Sequence, residues 1–364
     1  MLSSLTKERF LFVGLAVAVL AYATEHSLLE MGRPAMLAAA FALIAVIVLV
    51  STRVAHHAEI LASKVGDPYG TMILTLSAVL VEVVILAIMM QGETSPTLVR
   101  DTIYAAVMLD INGILGLAAL LGGIRHGEQP YNDDSGKTYG VMILTAMGIS
   151  MVVPEFVPRE SWHLYSLFTI GAMITLYAVF LRMQVGAHSY FFSYAYPRAE
   201  RKERPDSSPP EEEESATVSI LVIIAGVVLI GAMAEVMSVL LGAGLKGTGA
   251  PPALMAVIVA AISAAPEILT ALRAALANRM QSVVNIAMGA SLSTVILTVP
   301  VMEAIALYTG QPFIMAMSPV QTVMVAITLI AAAINLNDGE TNAIEGMTHF
   351  ILFATFVMLT LIGL

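Results

Sequence analysis

The chain has no cysteine, and only 12% of its 364 residues are Asp, Glu, Lys or Arg. The first absence excludes disulfides, thiolate zinc sites and thiol catalysis. The second leaves about half the charged share of a soluble domain. With 58% hydrophobic residues and a mean hydropathy of +0.85, the chain is not an ordinary soluble globule. No His-Glu-x-x-His zinc motif occurs, which speaks against a membrane-embedded metalloenzyme and against an enzyme generally. Lys7 and Arg9 precede an apolar run and so imitate a secretory signal, but no small-residue cleavage site followed by a soluble domain appears. That start reads as a retained first helix.

What is present is a series of long apolar runs. Eleven candidate spans lie at 10–28, 35–60, 70–91, 101–123, 139–157, 163–185, 216–241, 251–275, 281–308, 316–335 and 343–363, each near the ~20 residues a bilayer needs. Gly-Arg-Pro at 32–34, Asn-Asp-Asp-Ser-Gly at 132–136 and Gly-Thr-Gly-Ala-Pro-Pro at 247–252 punctuate them. The expected fold class is an all-α polytopic membrane protein of eleven transmembrane helices. Its one long connection, 187–215, ends in Glu211, Glu212, Glu213 and Glu214. Such an acidic run reads as a solvated segment, with a regulatory cation site as the sharper alternative.

Basic residues set the orientation. With the N-terminus inside, thirteen Lys and Arg fall on the inner side, and only Arg33, Arg100, Arg159 and Lys246 fall outside. That asymmetry is the positive-inside pattern, and it leaves the C-terminus outside.

The long connection also divides two similar halves. Ala58-Glu59-Ile60 precedes a helix bearing Glu82, and Ala234-Glu235-Val236 precedes one bearing Glu267. The chain therefore parses as a lone N-terminal helix (1–31), a first five-helix repeat (32–186), the acidic connection (187–215) and a second repeat (216–364). Five is odd, so the second repeat enters the membrane from the opposite side. Inverted repeats of this kind point to secondary transport with a site near the midplane.

Glu82 and Glu267 stand inside long apolar spans, where a carboxylate costs about 2.5–3.5 kcal/mol on the lenient insertion scale. Thr71, Thr75, Ala78 and Glu82 share one helical face, as do Ser263, Glu267 and Thr270. Pro266 removes a backbone donor and frees carbonyls near Ile262 and Ser263. Ser282, Asn285, Gly289 and Ser293 form a third stripe, and Asp110, Asn112 and Gly113 lie on the fourth span. Carboxylate, hydroxyl, amide and carbonyl oxygens without thiolate or imidazole suit a hard cation such as calcium or sodium. Glu303 reads instead as interfacial, toward an outer helix end.

These stretches, His56-His-Ala-Glu59 running into Glu82 and Ser263-Ala-Ala-Pro-Glu267 running into Asn285 and Ser293, resemble the cation/calcium exchanger superfamily, and within it the ChaA-type bacterial calcium or sodium(potassium)/proton antiporters. In the proton-coupled exchangers of that superfamily, Gly-Asn-Ala-Thr-Glu in one repeat faces Gly-Asn-Ala-Ala-Glu in the other. The glutamates carry over to Glu82 and Glu267. The preceding residues here are Ala78-Val-Leu-Val81 and Ser263-Ala-Ala-Pro266, so the two amides are missing, and Asn112 and Asn285 are candidate replacements. The resemblance implies calcium/proton exchange, with sodium or potassium as the alternative cation. Glu59 and Glu235 match the acidic residues that precede each signature helix in the family, and a gating or proton-path role is expected for them. Asp110 is read beside them as a proton-path residue or site wall, with a structural bond across helices as the alternative. The helical stripes make Thr75, Ser263 and Ser293 candidate ligands beside the glutamates. The protein would sit in the bacterial inner membrane, with inorganic cations, protons and lipid as its partners. No cofactor and no nucleic acid are expected, and a homo-oligomer is left open.

Mechanistically, two facing carboxylates repel when both are ionised in a dry site, and either a cation between them or protons on them relieves this. Mutually exclusive occupancy is exchange, with two protons per calcium as the limiting count. A channel is the rival from another class; its flux would be insensitive to a proton gradient.

Overall fold

The computed structural model describes residues 8–65, 69–91, 95–186, 188–194 and 215–364. Eleven apolar helices follow one another: α1 Arg9–Glu30, α2 Arg33–Val65, α3 Tyr69–Gln91, α4 Leu98–His126, α5 Asp133–Phe156, α6 Arg159–Val185, α7 Ala216–Leu245, α8 Ala253–Leu276, α9 Met280–Thr309, α10 Pro319–Asn335 and α11 Ala343–Leu361. Ten are long and apolar enough to cross a bilayer. The remaining one, α10, has 17 residues and is preceded by a non-helical run, 311–318. The sequence places that span from 316. Ser318 and Pro319 start it later, because the Ser318 hydroxyl and the Gln321 side chain close a reciprocal capping box. Only two short strands occur among the described residues, β1 Gln129–Pro130 and β2 Glu340–Thr341, paired antiparallel.

Connections sort onto two faces of the bundle. On one face β1 meets β2, and Gln129 donates to the Ala275 carbonyl (2.9 Å) and to Asn278 Oδ1 (2.9 Å). Asn132, the N-cap of α5, donates to the Tyr190 carbonyl (2.9 Å) after α6. On the other face Ile314 N–H donates to Pro96 O (3.0 Å), Met317 N–H to Met151 O (2.9 Å), and Arg33 to the Lys246 carbonyl (3.0 Å). Successive helix ends thus alternate between faces, so α3 and α8 run in opposite directions through the layer.

The core is built on α2, which packs along α7, with α1 against both. Buried Ile47, Val50 and Val54 of α2 meet Ile230 and Met233 of α7 in one apolar cluster, and Gly226 gives Val54 room to approach. The closest helix contact joins α4 to α11. A Cβ on Gly346 would lie 2.2 Å from the Leu120 backbone nitrogen, so only glycine allows that approach. Large apolar side chains such as Phe12, Leu20, Leu164 and Ile334 are exposed on the outer helix faces, as a lipid-facing surface requires.

Among the described residues three helices are locally wide-wound: α4 is π-helical over Met108–Leu115, α5 over Gly148–Val152 and α9 over Thr294–Thr298. α4 and α9 are each the third helix of their set of five, and such segments concentrate at functional sites.

Candidate cation site

A cavity of about 820 Å³ lies between α2, α3, α4, α8 and α9. Glu59, Thr75, Glu82, Asp110, Ser263, Glu267, Asn285 and Ser293 all line it. So do Ser189, Phe192 and Ser193, which follow α6, and the cavity therefore reaches the face that carries the 186–215 connection.

Glu82 stands near the middle of α3 and is only 3% exposed. Its Oε2 accepts hydrogen bonds from Thr294 (2.9 Å) and Thr298 (3.4 Å) on α9, while its Oε1 is buried without a partner. Those two hydroxyls belong to the π-helical stretch, whose extra residue per turn brings both onto the α3-facing side. Asp110, 2% exposed, sits in the matching stretch of α4 and accepts from Ser291 of α9 at 3.1 Å. Glu82, Asp110 and Glu267 all line this cavity, from α3, α4 and α8. Three carboxylates thus share one buried space. Among the described residues, however, no group of three or more His, Asp or Glu is close enough to hold a metal.

Neutral oxygens are arranged unevenly. Ser263 donates to the Ala260 carbonyl (3.0 Å) and Ser293 to the Gly289 carbonyl (2.7 Å), each within its own helix, which leaves their lone pairs toward the cavity. α8 runs through Pro266 without a break, so the Ile262 carbonyl lacks its helical donor. The Asn285 amide is used at both ends: its nitrogen donates to the Phe192 carbonyl (2.9 Å) and its oxygen accepts from Gln281 (2.9 Å).

Two expected site residues stand elsewhere. Asn112 is fully buried outside the lining of this cavity. It donates to Thr328 of α10 (2.7 Å), and its oxygen is 2.9 Å from His349 Nδ1 of α11. Glu235 is exposed and accepts from Tyr22 of α1 at 2.6 Å. Its repeat counterpart Glu59 lines the cavity mouth, so the two occupy unlike surroundings. The Thr71 side chain and Glu211, Glu212, Glu213 and Glu214 lie outside the described residues. Thr294 and Thr298 are functional neighbours that the stripe reading misses, although their i,i+4 spacing was a usable signal. Glu303, read from the sequence as interfacial toward an outer helix end, is 3% exposed and lines a pocket with residues of the 311–318 run at the end of α9.

A family model described as sodium/calcium exchanger protein matches the chain twice, over residues 10–186 and 218–362. The chain is similar to the putative ionic transporter y4hA of Sinorhizobium fredii, at 32% identity over 317 residues and 84% of each chain. It is similar to the sodium-potassium/proton antiporter ChaA of Escherichia coli, at 32% over 307 residues and 84% of each. A Ca2+/H+ antiporter of Aphanothece halophytica is 22% identical over 280 residues, covering 73% of this chain and 74% of that one. Among solved structures, native YfkE superposes with a TM-score of 0.74 at 16% identity, covering 97% of this chain and 99% of that one. The H+/Ca2+ exchanger CAX gives a TM-score of 0.59 at 14% identity, over 96% and 88%.

Proposed function

The chain belongs to the sodium/calcium exchanger protein family, and from that premise we propose that it exchanges calcium for protons across the membrane by alternating access, the two competing for Glu82 and Glu267. The observation that carries this reading is that these carboxylates, from oppositely directed helices α3 and α8, line one cavity with Asp110 beside them. A divalent cation between the glutamates neutralises their repulsion, and hydroxyl and carbonyl oxygens of Thr75, Ser263 and Ser293 complete its shell. Protons on the same carboxyls remove the charge that holds the cation. Occupancy by one excludes the other, with a limit of two protons per calcium.

The lining reaches only one face, which supports a state open to that side. Rocking of one five-helix set against the other would close it and open the opposite side. The basic residues put the open side in the cytoplasm of a bacterial cell, with the N-terminus there and the C-terminus outside. Glu59 at the open mouth, with Glu235 held by Tyr22, suits paired gating positions that trade surroundings between states. The reading needs no resident cofactor and no catalytic step.

A second reading, sodium or potassium in place of calcium, is favoured by the Escherichia coli relative: at 32% identity it is named a sodium-potassium/proton antiporter, against 22% for the Ca2+/H+ antiporter quoted above. Flux in inverted membrane vesicles tests the core claim. Glu82→Gln and Glu267→Gln should each abolish proton-coupled cation flux; substantial coupled flux in either variant would sink the proposal. Proton release on adding each cation to purified protein then ranks calcium against sodium and potassium.

A further inference from the structure

A second cavity, of about 200 Å³, opens on the face opposite the cation cavity. It lies between the end of α9, the start of α6, the end of α5 and the 311–318 run. Glu303 of α9 forms its floor. That side chain is 97% buried, being 3% exposed, and its Oε2 has no hydrogen-bond partner; the Ser166 hydroxyl of α6 faces the carboxyl group.

No lysine or arginine lines this cavity, so no countercharge explains a buried carboxylate there. The two cations nearest its lining are engaged elsewhere: Arg100 donates to the Ala316 carbonyl (2.7 Å) and pairs with Asp101, and Arg159 lies over the Trp162 ring. The other titratable neighbours are few. α6 supplies His163 and Tyr165, and the Tyr165 hydroxyl already donates to the Ile149 carbonyl at 2.7 Å. α3, which packs on the other side of α9, has no titratable residue from Val83 to Gln91. The 311–318 run brings Gln311 but nothing that titrates, and Glu155 of α5 is exposed. A divalent cation needs six or more oxygens and usually several carboxylates; this pocket offers one. A single buried carboxyl without a countercharge, beside a water-sized opening, suits one proton. Glu303 stands five residues beyond Thr298, about 7.5 Å along α9 and about 140° around it; Thr298 faces Glu82 of α3, and Glu303 faces Ser166 of α6.

We propose that Glu303 is the carboxyl at which protons from the face opposite the cation cavity are taken up on their way to Glu82. Hydronium gives its proton to the carboxylate and leaves as water; when rocking opens the opposite side, water admitted beside α9 carries the proton the remaining distance to Glu82, so no path joins the two faces at once. This inference rests on the proton-coupled reading above, and the test separates the two.

Purified protein in liposomes is assayed in two modes: calcium-45 uptake driven by a proton gradient, and calcium-45/calcium self-exchange, which needs no protons. Glu303→Gln should lower the coupled rate by about 100-fold, the scale of a lost proton-transfer group, and leave self-exchange within about twofold. Glu303→Asp should keep the coupled mode with a displaced dependence on the pH of the opposite face. Glu303→Gln that keeps both modes and the original pH profile overturns the proposal. So does loss of both modes in monodisperse protein, because that marks a structural role. If Glu303→Gln does not fold, Glu303→Asp decides, and an unshifted profile overturns the proposal. Lack of proton coupling in the unsubstituted protein would instead fail the functional reading itself.

Discussion

Thr294 of α9 donates a 2.9 Å hydrogen bond to Glu82 of α3, joining the second half of the chain to the central carboxylate of the first. The bond is charge-assisted when Glu82 is ionised, which on the proposed reading is the form that holds a cation. The proposed ligand in one half is thereby oriented by the other half, so relative motion of the halves would change the site directly.

Thr294→Val keeps the shape and removes that donor. A hydrogen bond to a charged group contributes about 1.5–3 kcal/mol, so the half-saturating cation concentration at fixed pH should rise about tenfold or more. Thr298→Val, whose contact is longer at 3.4 Å, should have the smaller effect. Equal or absent effects in uptake titrations would show that Glu82 is not oriented from α9.

Asn112→Leu separates structure from ligation. Its amide bridges Thr328 and His349 rather than facing the cavity. Interhelical polar bonds in membranes contribute about 0.6–2 kcal/mol each. The variant should therefore melt several degrees lower in detergent, while the folded fraction binds the cation with unchanged affinity. A loss of affinity at unchanged melting temperature would return Asn112 to the site.

Much of the fold was legible because spanning helices must be long and apolar, and each of the eleven runs became one helix. The carboxylates were legible for the same reason, since charge stands out in α3 and α8. Side-chain direction was less so. Asp110 and Asn112 are two residues apart, which on any helix turns them to nearly opposite sides, and only Asp110 meets the cavity. Thr294 and Thr298 lie beside the Ser282–Ser293 stripe, one residue round from Ser293, and only the packing of α3 against α9 shows that this face meets Glu82. Glu303 depends on what covers a helix end, here the 311–318 run, and Glu235 on which neighbouring helix reaches it, here α1 through Tyr22. Local sequence does not encode such cover.

Gly346→Ala tests the tightest helix contact. Its added Cβ would meet the Leu120 backbone nitrogen at 2.2 Å, and backbone cannot yield as a flexible side-chain end can. Overpacking of this kind costs about 1–3 kcal/mol or more. Thermal unfolding in detergent should show a marked drop; Gly140→Ala, where no atom lies within 4 Å, should show almost none.

The start of α1 is held by charge, and this predicts a pH limit with a definite sign. Arg53 of α2 pairs with Glu8, and buried His57 contacts the same carboxylate at 3.1 Å. Burial pushes the Glu8 carboxyl up, but the hydrogen bonds from Arg53 and His57 and their charges outweigh it, and the group titrates below its ordinary range. A carboxyl depressed in the folded state stabilises docking fully above its unfolded value, and that contribution is lost as pH falls through the folded value. Glu8 is partly solvated, so the energy is screened and modest. Docking of α1 should hold from neutral pH down to the ordinary carboxylate range and loosen only below it. Because the chain has no cysteine of its own, spin labels on Phe12→Cys and Leu49→Cys report the α1–α2 distance alone. That distance should broaden in strong acid, and Glu8→Gln should show the broad distribution already at pH 7. A distribution that loosens instead as pH rises would overturn the assignment to Glu8.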